Sequence, residues 1–272
     1  MAIIGECPAF PFLRLPAEIR RNIYQLLLAP DPDGLILIRT ESPELYKARN
    51  AIQTRRRTPF RVISDRVRSG SSETSYTGYK PSGIDTGILK VCRQIHREAC
   101  HILYSENTFD FDIDVESIIP FFRDLTPAAL ASVQSIRLVK RALPYCKDFD
   151  RCEWRRACAF LAAHTHLRRM TLAIVGGRPG PVWGAPVGQW ESQGPWDIED
   201  FHHIIRSERM EWARQLMSIK NLRALNVVAA LEHCPPPRSK EMGFFANFTT
   251  SIETGFSAYL KNVMLDNPCT SR

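Results

Sequence analysis

The sequence lacks any long apolar run: its longest, Ala157 to Ala163, is seven residues, against the roughly 18 that a membrane-crossing helix needs. A spanning helix is therefore not expected. Met1 to Pro16 has no basic leader and carries Glu6 inside its short apolar stretch, so no secretory signal is expected either. The expected location is the cytoplasm, the nucleus or both. Catalytic signatures are also missing. No Gly-x-Gly-x-x-Gly opens a helix after a strand, and neither a Gly-x-x-x-x-Gly-Lys phosphate loop nor a Gly-x-Ser-x-Gly elbow occurs. Nucleotide-dependent and hydrolytic classes lose most of their support, so the chain is expected to be non-enzymatic and to need no cofactor.

An excess of one charge is absent from most of the chain. The net charge is +7, but eight of the 36 basic residues and one of the 29 acids fall between Lys47 and Arg68, leaving 28 of each elsewhere. Such a stretch fits a solvated linker, a nuclear-import patch at Arg55-Arg56-Arg57, or a segment that displaces counterions from nucleic-acid phosphates. Phe60 is its one aromatic residue, so regular base stacking is not indicated.

Cysteine is present, and eight thiols without a secretory leader are expected to be reduced. Cys146, Cys152, Cys158 and His164 are evenly spaced by six. On a helix that spacing turns successive side chains to different faces, and zinc sites favour pairs two to four apart, so no metal site is expected. Glu199, Asp200, His202 and His203 form the densest titratable cluster, and no second cluster completes a constellation.

The hydrophobic pattern gives the architecture. Pro16 suits the start of a helix, Ile19, Ile23, Leu26 and Leu27 recur at helical spacing, and Pro30 with Asp31 to Gly34 ends it. Leu35 to Ile38 reads as a short strand. From 39 to 87 periodicity is lost, which predicts a mostly disordered insertion. A helix over Ile88 to Tyr104 follows, its apolar face running from Ile88 through Ile95 and Ala99 to Leu103. Phe109, Phe111 and Ile113 then alternate with Asp110 and Asp112, as in a half-buried strand.

A weak repeat follows. Val133 to Leu138, Leu167 to Leu172 and Leu222 to Val227 all fit apolar-x-x-apolar-x-apolar, the strand core of a leucine-rich repeat. Helical patterns at Val115 to Ala131, Asp150 to His164 and Ile198 to Met217 lie between the strand at Phe109 and these three in turn. Alternating strands and helices predict a mixed, helix-rich α/β fold with parallel strands. The expected division is a helical module over 1–107 and an irregular β/α repeat-like domain over 108–272.

Two segments resemble a large group of fungal proteins with an F-box-like N-terminus. Phe12-Leu-Arg-Leu-Pro-Ala-Glu-Ile-Arg-Arg-Asn-Ile-Tyr-Gln-Leu-Leu-Leu28 is similar to the opening F-box helix, and Ile88 to Phe109 is similar to the later helices and the strand entry. About 60 residues separate the two segments, whereas a compact F-box is about 45 residues in all. The resemblance implies a substrate receptor of a cullin-RING ubiquitin ligase. Its N-terminal helices would dock on a Skp-type adaptor through Leu15, Pro16, Ile19, Ile23 and Leu27, and its repeats would hold a protein target. The alternative reading is a nucleic-acid-associated protein or nuclear scaffold acting through 47–68. No membrane partner is expected.

In a repeat-type strand the residues between the apolar positions line the open face, here Arg137, Arg169, Thr171 and Asn226. The segment Gly176 to Trp196 holds six Gly, four Pro and three of the five tryptophans. Trp183 and Trp190 are thus candidates for a recognition loop at the C-terminal ends of the strands, or for rings folded back over the core.

Overall fold

A computed structural model describes residues 11–29, 35–41, 60–64, 72–76, 84–142, 148–176, 195–230 and 240–266. Pro16 precedes the first helix, α1 (Ala17–Leu28), and its carbonyl accepts the first helical hydrogen bond from Arg20. Strand β1 (Leu35–Glu41) follows, then β2 (Phe60–Ser64) and β3 (Ser72–Tyr76). After a 3-10 turn at Thr86–Lys90 the chain enters α2 (Arg93–Glu106) and β4 (Thr108–Asp110). Short helices α3 (Ile118–Asp124) and α4 (Pro127–Ser132) lead to β5 (Ser135–Arg141), and α5 (Asp148–His164) leads to β6 (Arg169–Val175). Then come α6 (Ile198–Ile204), α7 (Glu211–Leu216), β7 (Ala224–Ala230), α8 (Lys240–Ser251) and α9 (Ser257–Met264), the last two joined by a π turn at Ile252–Phe256.

The fold is thus mixed α/β, as expected, and its strands β1, β4, β5, β6 and β7 are parallel neighbours in that order. At the β1 edge, β2 adds in parallel and β3 antiparallel to β2. These two strands fall inside the stretch 39–87 read as mostly disordered. β2 breaks its Phe60-Arg61-Val62 alternation at Ile63 and β3 holds one apolar residue, Tyr76, so what marks them is backbone pairing, which so short a side-chain pattern does not report.

Register aligns the repeats. Ile36, Phe109, Ile136, Met170 and Leu225 form one row across the five parallel strands, each 5% exposed or less. The middle apolar positions of the three sequence repeats, Ile136, Met170 and Leu225, are therefore direct neighbours. With Leu138, Leu172 and Val227 they make the face on which the helices pack. A smaller cluster, Val139, Ala173 and Val175, sits on the opposite face.

One expected strand is shorter than its pattern. Asp112 takes the left-handed conformation at φ 49° and donates its N–H to the Asp110 side chain, closing a turn. β4 therefore stops at Asp110, Phe111 turns inward, and Ile113 is left exposed. Asp110, a polar residue of the alternating pattern, is buried.

The hydrophobic core is continuous across the division expected at 107/108. Tyr24 and Leu28 of α1, Ile102 of α2, Leu172 of β6 and Leu260 of α9 belong to one cluster. No helix among the described residues is long and apolar enough to cross a membrane.

Candidate functional site

Helices α1 and α2 are clamped together by polar contacts. Arg20 of α1 donates from Nε and Nη2 to the two carboxylate oxygens of Glu98 on α2, at 3.0 and 2.8 Å. Tyr24 donates its hydroxyl to Glu98 at 2.9 Å, and Gln94 adds a bond at 3.0 Å. Arg20 also donates to the Leu15 carbonyl at 2.7 Å, fixing the approach to the helix. Four donors on one carboxylate, the Arg20 fork foremost, hold Glu98 down at about 2. Burial, then Glu98, pushes Tyr24 up to about 12. At the far end, Asn107 donates to the carbonyls of both Leu28 and Leu103 at 2.9 Å, closing the C-termini of α1 and α2 with one side chain.

This clamp decides which face of α1 turns inward. Arg20, Tyr24 and Leu28 are buried, at i, i+4 and i+8. Ile19, Ile23 and Leu26 fall on a second stripe about 120° away, at 100° per residue. Ile19 is 46% exposed, Leu26 73%, and Leu13 just before the helix 46%. Among the five sequence candidates, Pro16 and Ile19 are exposed, Leu15 and Ile23 half-buried, and Leu27 packs on the core. Leu26 was missed, although it lies at i+7 from Ile19.

The open-face candidates are brought together. Arg137, Thr171 and Asn226 occupy one register row with Asp110, and Arg169 stands in the next row. Arg137 is only half-open: it donates to the buried Asp110 carboxylate at 2.9 Å. Arg169 is exposed and reaches the Ser105 carbonyl at 3.3 Å. Trp183 and Trp190 lie outside the described residues. Their neighbour Trp196 packs on Phe244 and Phe201, with ring centroids 5.0 and 6.0 Å apart. The basic segment 47–68 is also outside, apart from the backbone of β2.

The remaining sequence clusters have structural contacts. Asp197 and Asp200 form a reciprocal capping box for α6 at 3.0 Å, and the His202 ring rests edge-on against Tyr259. Cys158 is buried, which pushes its thiol up to about 12, while Cys152 on the same helix is exposed. No group of three or more His, Cys, Asp or Glu side chains among the described residues is placed to hold a metal. His96 lies 2.9 Å from the Leu89 carbonyl through Nδ1 and 3.3 Å from the Cys100 sulfur through Nε2. A carbonyl only accepts, so Nδ1–H donates there and, in the neutral ring, Nε2 accepts a hydrogen bond from the Cys100 S–H, which burial keeps protonated.

With this geometry in view, the matched family extends over most of the chain. Residues 7–213 match the family described as Domain of unknown function (DUF7730), and the chain belongs to that family. The matched span runs from before α1 through β6 and α6 and ends inside α7. No curated protein and no solved structure matches the chain.

Proposed function

We propose that this protein is a non-enzymatic protein-interaction subunit. Its F-box-like N-terminal helices dock on a Skp-type adaptor of a cullin-RING ligase, and its β/α array, an irregular leucine-rich-repeat-like unit, holds a protein target. The observation that carries the reading is the division of α1 into two faces. The helix makes its internal contacts with Arg20, Tyr24 and Leu28, which leaves Ile19, Ile23 and Leu26 as a separate apolar stripe. An amphipathic helix presenting anchors at i, i+4 and i+7 suits a partner's apolar groove. The repeat-like part of the reading is supported by the sequential order of β4 to β7 and by the common row of Ile136, Met170 and Leu225. Exposed Arg169 and Asn226 belong to the face offered to the target.

The test is co-purification of the full chain with a Skp-type adaptor. Ile19→Asp and Leu26→Asp place a charge on the stripe without touching the Arg20 clamp. Both variants are expected to keep the wild-type circular dichroism spectrum and melting temperature and to lose the adaptor. Retention of the adaptor by both variants, or no capture by the wild type, overturns the docking claim.

A further inference from the structure

Three cations gather at the start of α2. Lys90 ends the 3-10 turn, Arg93 opens the helix and Arg97 follows one turn on, all of them exposed. None of the three makes a hydrogen bond or an ion pair with a described residue. Helices favour acids at this end, where the dipole is positive, and like charges four residues apart repel. The first turn of α2 nevertheless holds no acid, and Cys92 caps it without a side-chain hydrogen bond. Glu98, the next acid along the helix, is held by Arg20 of α1. The arrangement costs the free protein stability, a local conflict of the kind that marks functional surfaces.

These side chains border an open groove of about 670 Å³ lined by Leu89, Lys90, Cys92, Arg93, His96 and Arg97. Leu89 and Cys92 are half-buried and supply its apolar part, and Val91 beside them is 63% exposed. His96 fixes the shape: Nδ1–H donates to the Leu89 carbonyl at 2.9 Å, tying the 3-10 turn to the helix. The described lining has three cations and no carboxylate, so an anionic occupant is favoured. A nucleic-acid strand would need rings on which to stack, and the described lining offers only the His96 imidazole, already held by Leu89 and Cys100. An acidic polypeptide uses both features of the groove. Its carboxylates pair with Lys90, Arg93 and Arg97, and an apolar side chain covers Leu89 and Val91. We infer that this groove docks a short acidic segment of a partner polypeptide, an apolar side chain flanked by carboxylates. The inference goes beyond adaptor docking and does not depend on it, because the described lining contains no residue of α1.

The experiment uses the full chain labelled with nitrogen-15 and deuterium and follows the assigned backbone amide signals of Leu89 to Arg97. Acetyl-Asp-Glu-Leu-Glu-Asp-amide should shift them with a dissociation constant on the order of 1 mM or tighter at low salt. Acetyl-Asn-Gln-Leu-Gln-Asn-amide, the uncharged counterpart, should bind about tenfold more weakly or worse. Replacing the central Leu of the acidic peptide by Gly should weaken it about threefold. The double variant Arg93→Gln with Arg97→Gln should melt at or above the wild-type temperature, since a repulsion is relieved, and should bind the acidic peptide about tenfold more weakly. A lower melting temperature in that variant would make the arginines structural and overturn the inference. An oligo-thymidine strand that binds these amides more tightly than the peptide would assign the groove to nucleic acid, and a wild-type dimer that the double variant cannot form would assign it to a second copy of the chain. Either result overturns the inference, as do equal binding of the charged and uncharged peptides, no shift at about 10 mM peptide, or unchanged affinity in the double variant.

Discussion

Glu98 is the residue on which the N-terminal packing turns. Its carboxylate receives the Arg20 fork, the Tyr24 hydroxyl and the Gln94 amide, so the ionised form is favoured in the fold and held at about 2 against an ordinary 4.5. A depressed acid contributes stability above its unfolded value and loses that contribution as pH falls toward its folded value. The α1 to α2 contact should therefore weaken between about pH 4.5 and 2. Tyr24, raised from 10.0 to about 12, has the opposite sign, and its contribution is lost as pH rises across that window. Glu98→Gln should flatten the acid limb of a melting-temperature profile measured from pH 6 to about 2. An acid limb as steep as that of the wild type would show that other carboxylates set it. Arg20→Lys is not a conservative alternative, because an ammonium cannot supply the parallel pair of bonds. Asn107→Ala is a second test at this scale. It removes the donor to the Leu28 and Leu103 carbonyls together and should cost about 1–3 kcal/mol by chemical denaturation. The Glu18-Ile19-Arg20 element was visible in the sequence, but the partner of Arg20 lies 78 residues away, and no local pattern names it.

At the scale of elements, periodicity was readable wherever burial alone shaped the segment. The helical face from Ile95 to Leu103 and the three repeat strands appear as expected because each buries one face continuously. The failures share a cause: backbone or polar interactions overrode the apolar pattern. β4 is cut short by the turn at Asp112, and β2 and β3, which the pattern did not single out, are held by pairing. The C-terminal helices show a subtler case. Phe248, Ile252, Phe256, Leu260 and Met264 are all fully buried, yet they repeat strictly every four residues. On an ideal α-helix that spacing drifts about 40° per step, so the first and last would point to different sides. The π turn at Ile252–Phe256 has more residues per turn and absorbs part of the drift, keeping the row on the core. Gly255 in that turn lies against the backbone of Trp196 and Asp197, where a Cβ has no room. Gly255→Ala should thus destabilise by about 1–3 kcal/mol through overpacking. A neutral result in urea denaturation would mean that the turn shifts freely.

For the whole molecule, the question is whether the N-terminal segment over 1–107 and the β/α array are separable. β1, which follows α1, pairs with β4 at Leu35 to Leu37, so the first segment completes the sheet of the second. One core cluster contains Tyr24 and Met264 alike. The C-terminal elements are equally integrated. β7 covers the edge of β6 over seven residue pairs, Phe248 and Phe256 enclose Phe201 and Trp212, and Leu222 bridges to Leu265. The family match ends at residue 213, before β7, Leu222, Phe248, Phe256 and Leu265. Cutting there would expose a full strand edge and a cluster of aromatic rings, a combination that favours aggregation over folding. A chain ending at Ala213 is therefore expected to be insoluble or to lack near-ultraviolet dichroism, and the fragment 1–107 should not fold in isolation. The intact chain should melt in a single calorimetric transition whose van't Hoff and calorimetric enthalpies agree. Two resolved transitions, with the first abolished by removing 1–107 and the second unchanged, would establish separable domains and contradict the continuous core.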